Sequence, residues 1–163
     1  MGLYSANELI SQARKLAAEY RRTMGRPLPG IGSEIAEHDA ISLLGLEPVE
    51  DKSRGYDAID RDREQRLQIK SRVVFDEGKT GARLGQLKMN QTWDAVVLVL
   101  MDENYEPYEI YQAARDEIEH FVGESSSSRA KRGALSVARF KIIGELRWTR
   151  ENGIEQPLWS NHG

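Results

Sequence analysis

The sequence predicts an α/β protein with a central mixed β-sheet flanked by helices. Three observations carry that expectation. Apolar residues recur at helical spacing near the start of the chain, two short runs beyond Pro48 alternate with a period of two, and residues 95–101 are continuously apolar and β-branched. A strand of the last kind is buried on both faces, so the sheet must be covered by layers on either side. The 163 residues, 39% of them hydrophobic, supply one ordinary core and are too few for two. We therefore expect a single domain over 1–163, divided into an N-terminal helix and linker (1–30), a core (31–124) and a C-terminal basic segment (125–163).

Taken in order, Ser5 with Glu8 three residues later reads as a capping box, and Leu9, Ile10, Ala13, Leu16, Ala17 and Tyr20 follow on one helical stripe. Arg14, Lys15, Arg21 and Arg22 are expected on the solvated face. Pro27, Pro29, Gly30 and Gly32 break the chain, Ser33 is placed to cap a second helix over 34–44, and Gly45 to end it. Residues 56–59 and 67–74 are short strands joined by a polar turn around Asp60 to Gln65, which predicts a hairpin. After the segment punctuated by Gly78, Gly81 and Gly85 comes the buried strand 95–101. Tyr108 to Tyr111 can pair back on it, 114–122 reads as a short helix, and Ser125 to Ser128 form a loop. Ser136 can cap a helix with Val137, Phe140 and Ile143 inward and Arg139 and Lys141 outward, before Leu146 and Trp148 return to the core. Trp93, Trp148, Trp159, Tyr108 and Tyr111 are expected as core or core-edge anchors.

Charge excludes several classes of function. Against 23 Lys+Arg stand 26 Asp+Glu, a net charge of -3, which fits neither a histone-like binder nor an acidic disordered tail. The near-neutral total hides an uneven distribution: residues 102–124 hold eight acids against Arg115, and residues 129–150 hold seven bases against Glu145. No apolar run approaches the roughly 18 residues that span a bilayer, and the first residues lack a secretory pattern. A cytoplasmic protein without membrane contact is expected. With no cysteine and only three scattered histidines, any metal must be held by oxygen.

The strand at 67–74 supplies that chemistry. Leu67 and Ile69 alternate with Gln68 and Lys70, so the amide and the ammonium project from one face. Asp57 precedes them on the neighbouring strand, with Gly55 allowing the backbone to bend. A carboxylate and an amide oxygen suit a hard cation such as Mg²⁺, and an adjacent lysine can orient or deprotonate water for attack on a phosphodiester. Glu37 shares the apolar stripe of Ala40, Ile41 and Leu44, where an acid needs a partner. Glu34, one turn earlier, is the rival candidate, with a favourable place in the first helical turn as its alternative role. Asp60 is assigned to the turn, and His38 to the surface beside Glu37.

Together, Glu37, Gly55-Tyr56-Asp57 and Gln68-Ile69-Lys70 resemble the PD-(D/E)XK nuclease superfamily, the restriction endonuclease-like fold. The text GYDAID followed by QIKSR is similar to small type II restriction enzymes of the PvuII kind and to a bacterial family with this core. The resemblance covers residues 33–74 and extends to the strand at 95–101. It implies a metal-dependent endonuclease, possessing Mg²⁺ or Mn²⁺ held by Asp57, Gln68, Ile69 and Glu37, with Asp57, Gln68, Lys70 and Glu37 as the catalytic set. No proline precedes Asp57, and Gln68 stands where most members carry an acid, as in Mrr-type restriction proteins; one charge fewer gives Glu37 more weight. The implied partner is nucleic acid, expected to be double-stranded DNA, and symmetrical cutting of a duplex would call for a homodimer. Arg129, Lys131, Arg132, Arg139 and Lys141 are expected to contact phosphates.

Overall fold

The computed structural model describes residues 5–74, 84, 87, 89–124 and 135–155. Their centre is a seven-stranded sheet in the order β1-β2-β3-β4-β5-β6-β7: Glu47–Pro48, Ala58–Asp60, Gln65–Val73, Ala95–Met101, Pro107–Ala114, Glu145–Thr149 and Gly153–Ile154. Only β3 and β4 run parallel, with Leu67 beside Ala95 and Val73 beside Met101; every other neighbouring pair is antiparallel. The sheet is therefore mixed, and four α-helices among the described residues flank it: α1 (Ala6–Met24), α2 (Ile31–Leu44), α3 (Arg115–Glu124) and α4 (Val137–Ile143).

Two hydrophobic clusters show how β4 holds the layers together. Ala95, Val97, Val99 and Met101 pack with Ala17 and Ala18 of α1 and with Ile35, Ala36, Ala40 and Leu44 of α2. Val96, Leu98 and Leu100 pack on the opposite side with Ile118 of α3, Phe140 of α4, Tyr56 and Trp93. All seven residues of β4 are buried, as a strand covered on both faces requires. None of the described helices is long and apolar enough to cross a membrane.

Several expectations about individual elements need correcting. Helix α2 begins at Ile31, not after Ser33, because Gly30 adopts a left-handed conformation (φ 82°) at the N-cap without a side-chain cap bond. Gly45 does end it, with φ 67°. On α1 the buried residues are Ala17 and Ala18, while Leu9 and Leu16 are more than half exposed. Small side chains let α1 lie close to α2, which turns the stripe away from the two leucines. Arg14 is drawn inward with that rotation: its guanidinium makes a bidentate pair with buried Asp39, at 2.9 and 2.8 Å, and donates to the Tyr105 carbonyl.

Ser5 accepts from the Glu8 amide and Ser136 from the Arg139 amide, as expected of caps. The hairpin of β2 and β3 forms, but Asp57 lies one residue ahead of β2. Asp60 ends that strand and its carboxylate accepts the amides of Asp62 and Arg63, a turn role. In β6 the most buried residues are Arg147 and Thr149, although Trp148 does pack against the first cluster. Arg147 fits there because it donates to Gln112 and lies 3.7 Å from Asp60, satisfying a charge that would otherwise be costly to bury. Trp93 is a core residue, whereas Trp159, the serine loop and Gly78, Gly81 and Gly85 lie outside the described residues.

Candidate metal centre

Asp57 is fixed against β3 where β2 diverges from it. The Asp57 amide donates to the Leu67 carbonyl at 2.8 Å, and Leu67 is also the register partner of Ala58. Beyond that point no β2 backbone faces β3. The Asp57 carboxylate takes over, its Oδ2 accepting the Ile69 amide at 2.8 Å. One side chain thus replaces a rung of the ladder, which fixes the carboxylate against the middle of β3. In a strand a residue's carbonyl points to the same side as its amide, so the Ile69 carbonyl faces this fork as well.

Gly55 makes the approach possible. It closes a short 3₁₀ turn, Lys52–Arg54, at φ 96°, and its amide donates to the Lys52 carbonyl at 3.1 Å. A side chain there would be strained by the backbone conformation and would place its Cβ 2.7 Å from the Cβ of Gln91. The Gly55 carbonyl is then left to accept the Gln68 amide group, Nε2, at 3.2 Å. Gln68 is 7% exposed, and its other end, Oε1, is buried without a hydrogen-bond partner. A buried carbonyl-type oxygen in this state is costly unless something binds it.

Lys70 is half-buried and, two residues further along β3, shares the face of Gln68. Their parallel register partners are Leu98 and Val96 of the second cluster, while Leu67 and Ile69 face the first. The alternation read from the sequence is therefore the one in the sheet.

Glu37 reaches the fork from α2 through a residue that the sequence did not single out. Lys52 on the 3₁₀ turn places its ammonium on Glu37 Oε2 and 3.6 Å from Asp57 Oδ1, so one cation joins the two carboxylates. Burial pulls the Lys52 pKa down, but the hydrogen bond to Glu37 and the charges of Asp57 and Glu37 together outweigh it, and the net shift is upward. The acid on the apolar stripe is partnered by lysine, as physical necessity demanded, but by Lys52. Glu34 stays exposed in the first turn of α2, and Glu37 is the helix carboxylate linked to Asp57. His38 Nε2 lies 3.0 Å from Asn7 Oδ1, away from this cluster.

The residues fit a hard divalent cation in chemical type. Two carboxylates, an amide oxygen that lacks a partner and a backbone carbonyl are all oxygen donors. Among the described residues no three His, Cys, Asp or Glu side chains converge as a ready ligand shell. Gln91 and Lys52 are the two site residues that sequence reasoning missed. Both act through the shape of turns, which leaves no periodic signal.

Of the expected phosphate contacts, Arg129, Lys131 and Arg132 lie outside the described residues. Lys141 is exposed but sits 3.2 Å from Glu109 and 5.5 Å from the centre of the Tyr111 ring. Arg139 lies 5.2 Å over the ring of Phe121. No protein-family model matches the chain, and no curated protein matches it.

Proposed function

We propose that this protein is a metal-dependent nuclease that hydrolyses phosphodiester bonds of DNA, with a restriction endonuclease-like core. The observation that carries the reading is the buried, unpartnered Oε1 of Gln68, on the residue next to the one whose amide fixes the Asp57 carboxylate. Such an oxygen is explained by a ligand that accepts its lone pairs. Asp57, Gln68, Glu37 and the Ile69 carbonyl would hold Mg²⁺ or Mn²⁺. When bound, the cation supplies Lewis acidity toward phosphate and lowers the pKa of water. Lys70, on the face of Gln68, orients water or receives its proton as the phosphodiester is attacked. Gly55 and the Asp57–Ile69 bond hold the carboxylate before substrate arrives, which lowers the cost of ordering the site. A cytoplasmic homodimer acting on both strands of a duplex belongs to the same proposal.

The Lys52 ammonium favours a second reading. It neutralises the carboxylate pair from within the chain, and Gln68 adds no charge, as expected of a catalytically degenerate nucleic-acid-binding or interaction module with this core. Incubation with single- and double-stranded DNA and RNA, with Mg²⁺ or Mn²⁺, separates the two. Cleavage by the wild type that is lost in Lys70→Ala and Asp57→Ala supports the nuclease. Salt-sensitive binding without cleavage under every condition supports the module.

A further inference from the structure

The Glu37 and Asp57 carboxylates come from different elements and would repel each other if left alone. Lys52 prevents this, yet it is the member of the trio least committed to its place. Its side chain is 45% exposed, against 23% for Glu37 and 25% for Asp57. The backbone beneath it is fixed independently of the ammonium: Asp51 caps the turn by accepting the Ser53 amide at 3.1 Å, and the Gly55 amide closes it on the Lys52 carbonyl. A lysine carries its charge at the end of a flexible four-carbon stem. The ammonium can therefore leave the carboxylates while the turn, Gly55 and the bond from Gln68 to Gly55 stay as they are.

The ammonium is also an incomplete ligand for the site. It engages Glu37 and Asp57, while Gln68, whose amide is bonded to the Gly55 that closes the Lys52 turn, keeps a buried Oε1 without a hydrogen-bond partner. A hard divalent cation takes six or more oxygens and has a use for that third acceptor. The Lys52 ammonium already engages the Glu37 and Asp57 carboxylates that the metal would take, so the two are alternatives.

We propose that Lys52 is the resident counter-ion of the Glu37–Asp57 pair and that a divalent metal enters this site by exchange with the Lys52 ammonium. The inference rests on the metal-centre reading and adds to it a built-in competitor. It makes metal affinity a property set partly by the 3₁₀ turn and not by the ligands alone.

The test uses the full chain and Mn²⁺ alone, without nucleic acid. Calorimetric titration of Lys52→Met, which keeps most of the stem and removes the charge, is expected to show binding about ten-fold tighter than wild type, a change equal to about 1.4 kcal/mol. Lys52→Arg keeps the charge and should bind as wild type does. Acetylation of Lys52 in the wild type, followed by mass spectrometry, gives a readout that needs no variant to fold: its rate should rise several-fold at saturating Mg²⁺ and stay unchanged in Asp57→Asn. Mn²⁺ binding that is equal or weaker in Lys52→Met, or an acetylation rate indifferent to Mg²⁺ in a wild type that binds it, overturns the exchange and leaves the metal centre standing. Failure of every protein to bind Mn²⁺, Lys52→Met included, overturns both.

Discussion

A glutamine among the proposed metal ligands faces opposing demands on one side chain. Gln68 donates from Nε2 to the Gly55 carbonyl and keeps Oε1 buried without a partner. Gln68→Glu would add the charge that members of the resembled superfamily carry, but it would also set an acceptor against the Gly55 carbonyl. We expect Gln68→Glu to bind Mn²⁺ more tightly than wild type and to be less stable without it by about 1–3 kcal/mol, the cost of an unmet buried polar group. Thermal melts with and without Mn²⁺ check this: the variant should melt several degrees lower when metal-free and recover on addition. Equal metal-free melting would show that the Gly55 contact carries no weight. The shared face of Gln68 and Lys70 and the approach of Asp57 to β3 were legible because strand alternation and a preceding glycine are local signals. Lys52 was not, since Glu50 to Arg54 has no period and the lysine's position depends on a turn closed by Asp51 and Gly55.

At the scale of elements, what could be read depended on whether the neighbour was implied by the pattern. Strand β4 was unambiguous because a run of seven apolar residues admits few other environments. Helix α1 was recognised, but its facing direction was set by its contact with α2 and by the buried Arg14–Asp39 pair, neither of which leaves a mark in the α1 sequence. The parallel pairing of β3 with β4 was equally hidden, and its entrance depends on Asp94. This carboxylate takes the Arg66 amide at 2.7 Å and the guanidinium at 3.0 and 3.1 Å, while the Asp94 amide donates to the Arg66 carbonyl at 2.7 Å. The hydrogen bond from the Arg66 side chain is the largest influence on Asp94 and, against the cost of burial, holds its pKa below the ordinary 3.8. A carboxyl lowered on folding contributes stability that is complete above the unfolded value and is lost as pH falls through the folded one. The gap in Tm between wild type and Asp94→Asn should therefore be constant above about pH 5 and shrink as pH drops below 3.8. A constant gap down to pH 2 would mean that the difference comes from the lost acceptor oxygen and that the charge is idle.

For the molecule as a whole, the uneven charge along the chain is partly cancelled across the sheet among the described residues. Strands β5 and β6 lie side by side, and the structure pairs the acidic stretch with the basic one: Arg150 with Asp102 at 2.8 Å and Lys141 with Glu109 at 3.2 Å. Sequence distance concealed this, because opposite charges 30 or more residues apart become neighbours only through the sheet order. The consequence concerns nucleic acid. A cation already balanced by a carboxylate releases few counter-ions on meeting a phosphate, whereas the charge of Arg139 over the Phe121 ring is not cancelled by that contact. Affinity for a fixed DNA duplex across a KCl series measures the number of phosphates neutralised. Neutralising Arg129, Lys131 and Arg132 together should reduce the magnitude of the salt slope by about three units, and Arg139→Gln by about one. Lys141→Gln should change it by less than about one unit, since Glu109 already holds that ammonium. An unchanged slope in the triple variant would move the phosphate-contacting surface away from the C-terminal segment, and a full unit lost in Lys141→Gln would show that the Glu109 pair opens to receive DNA.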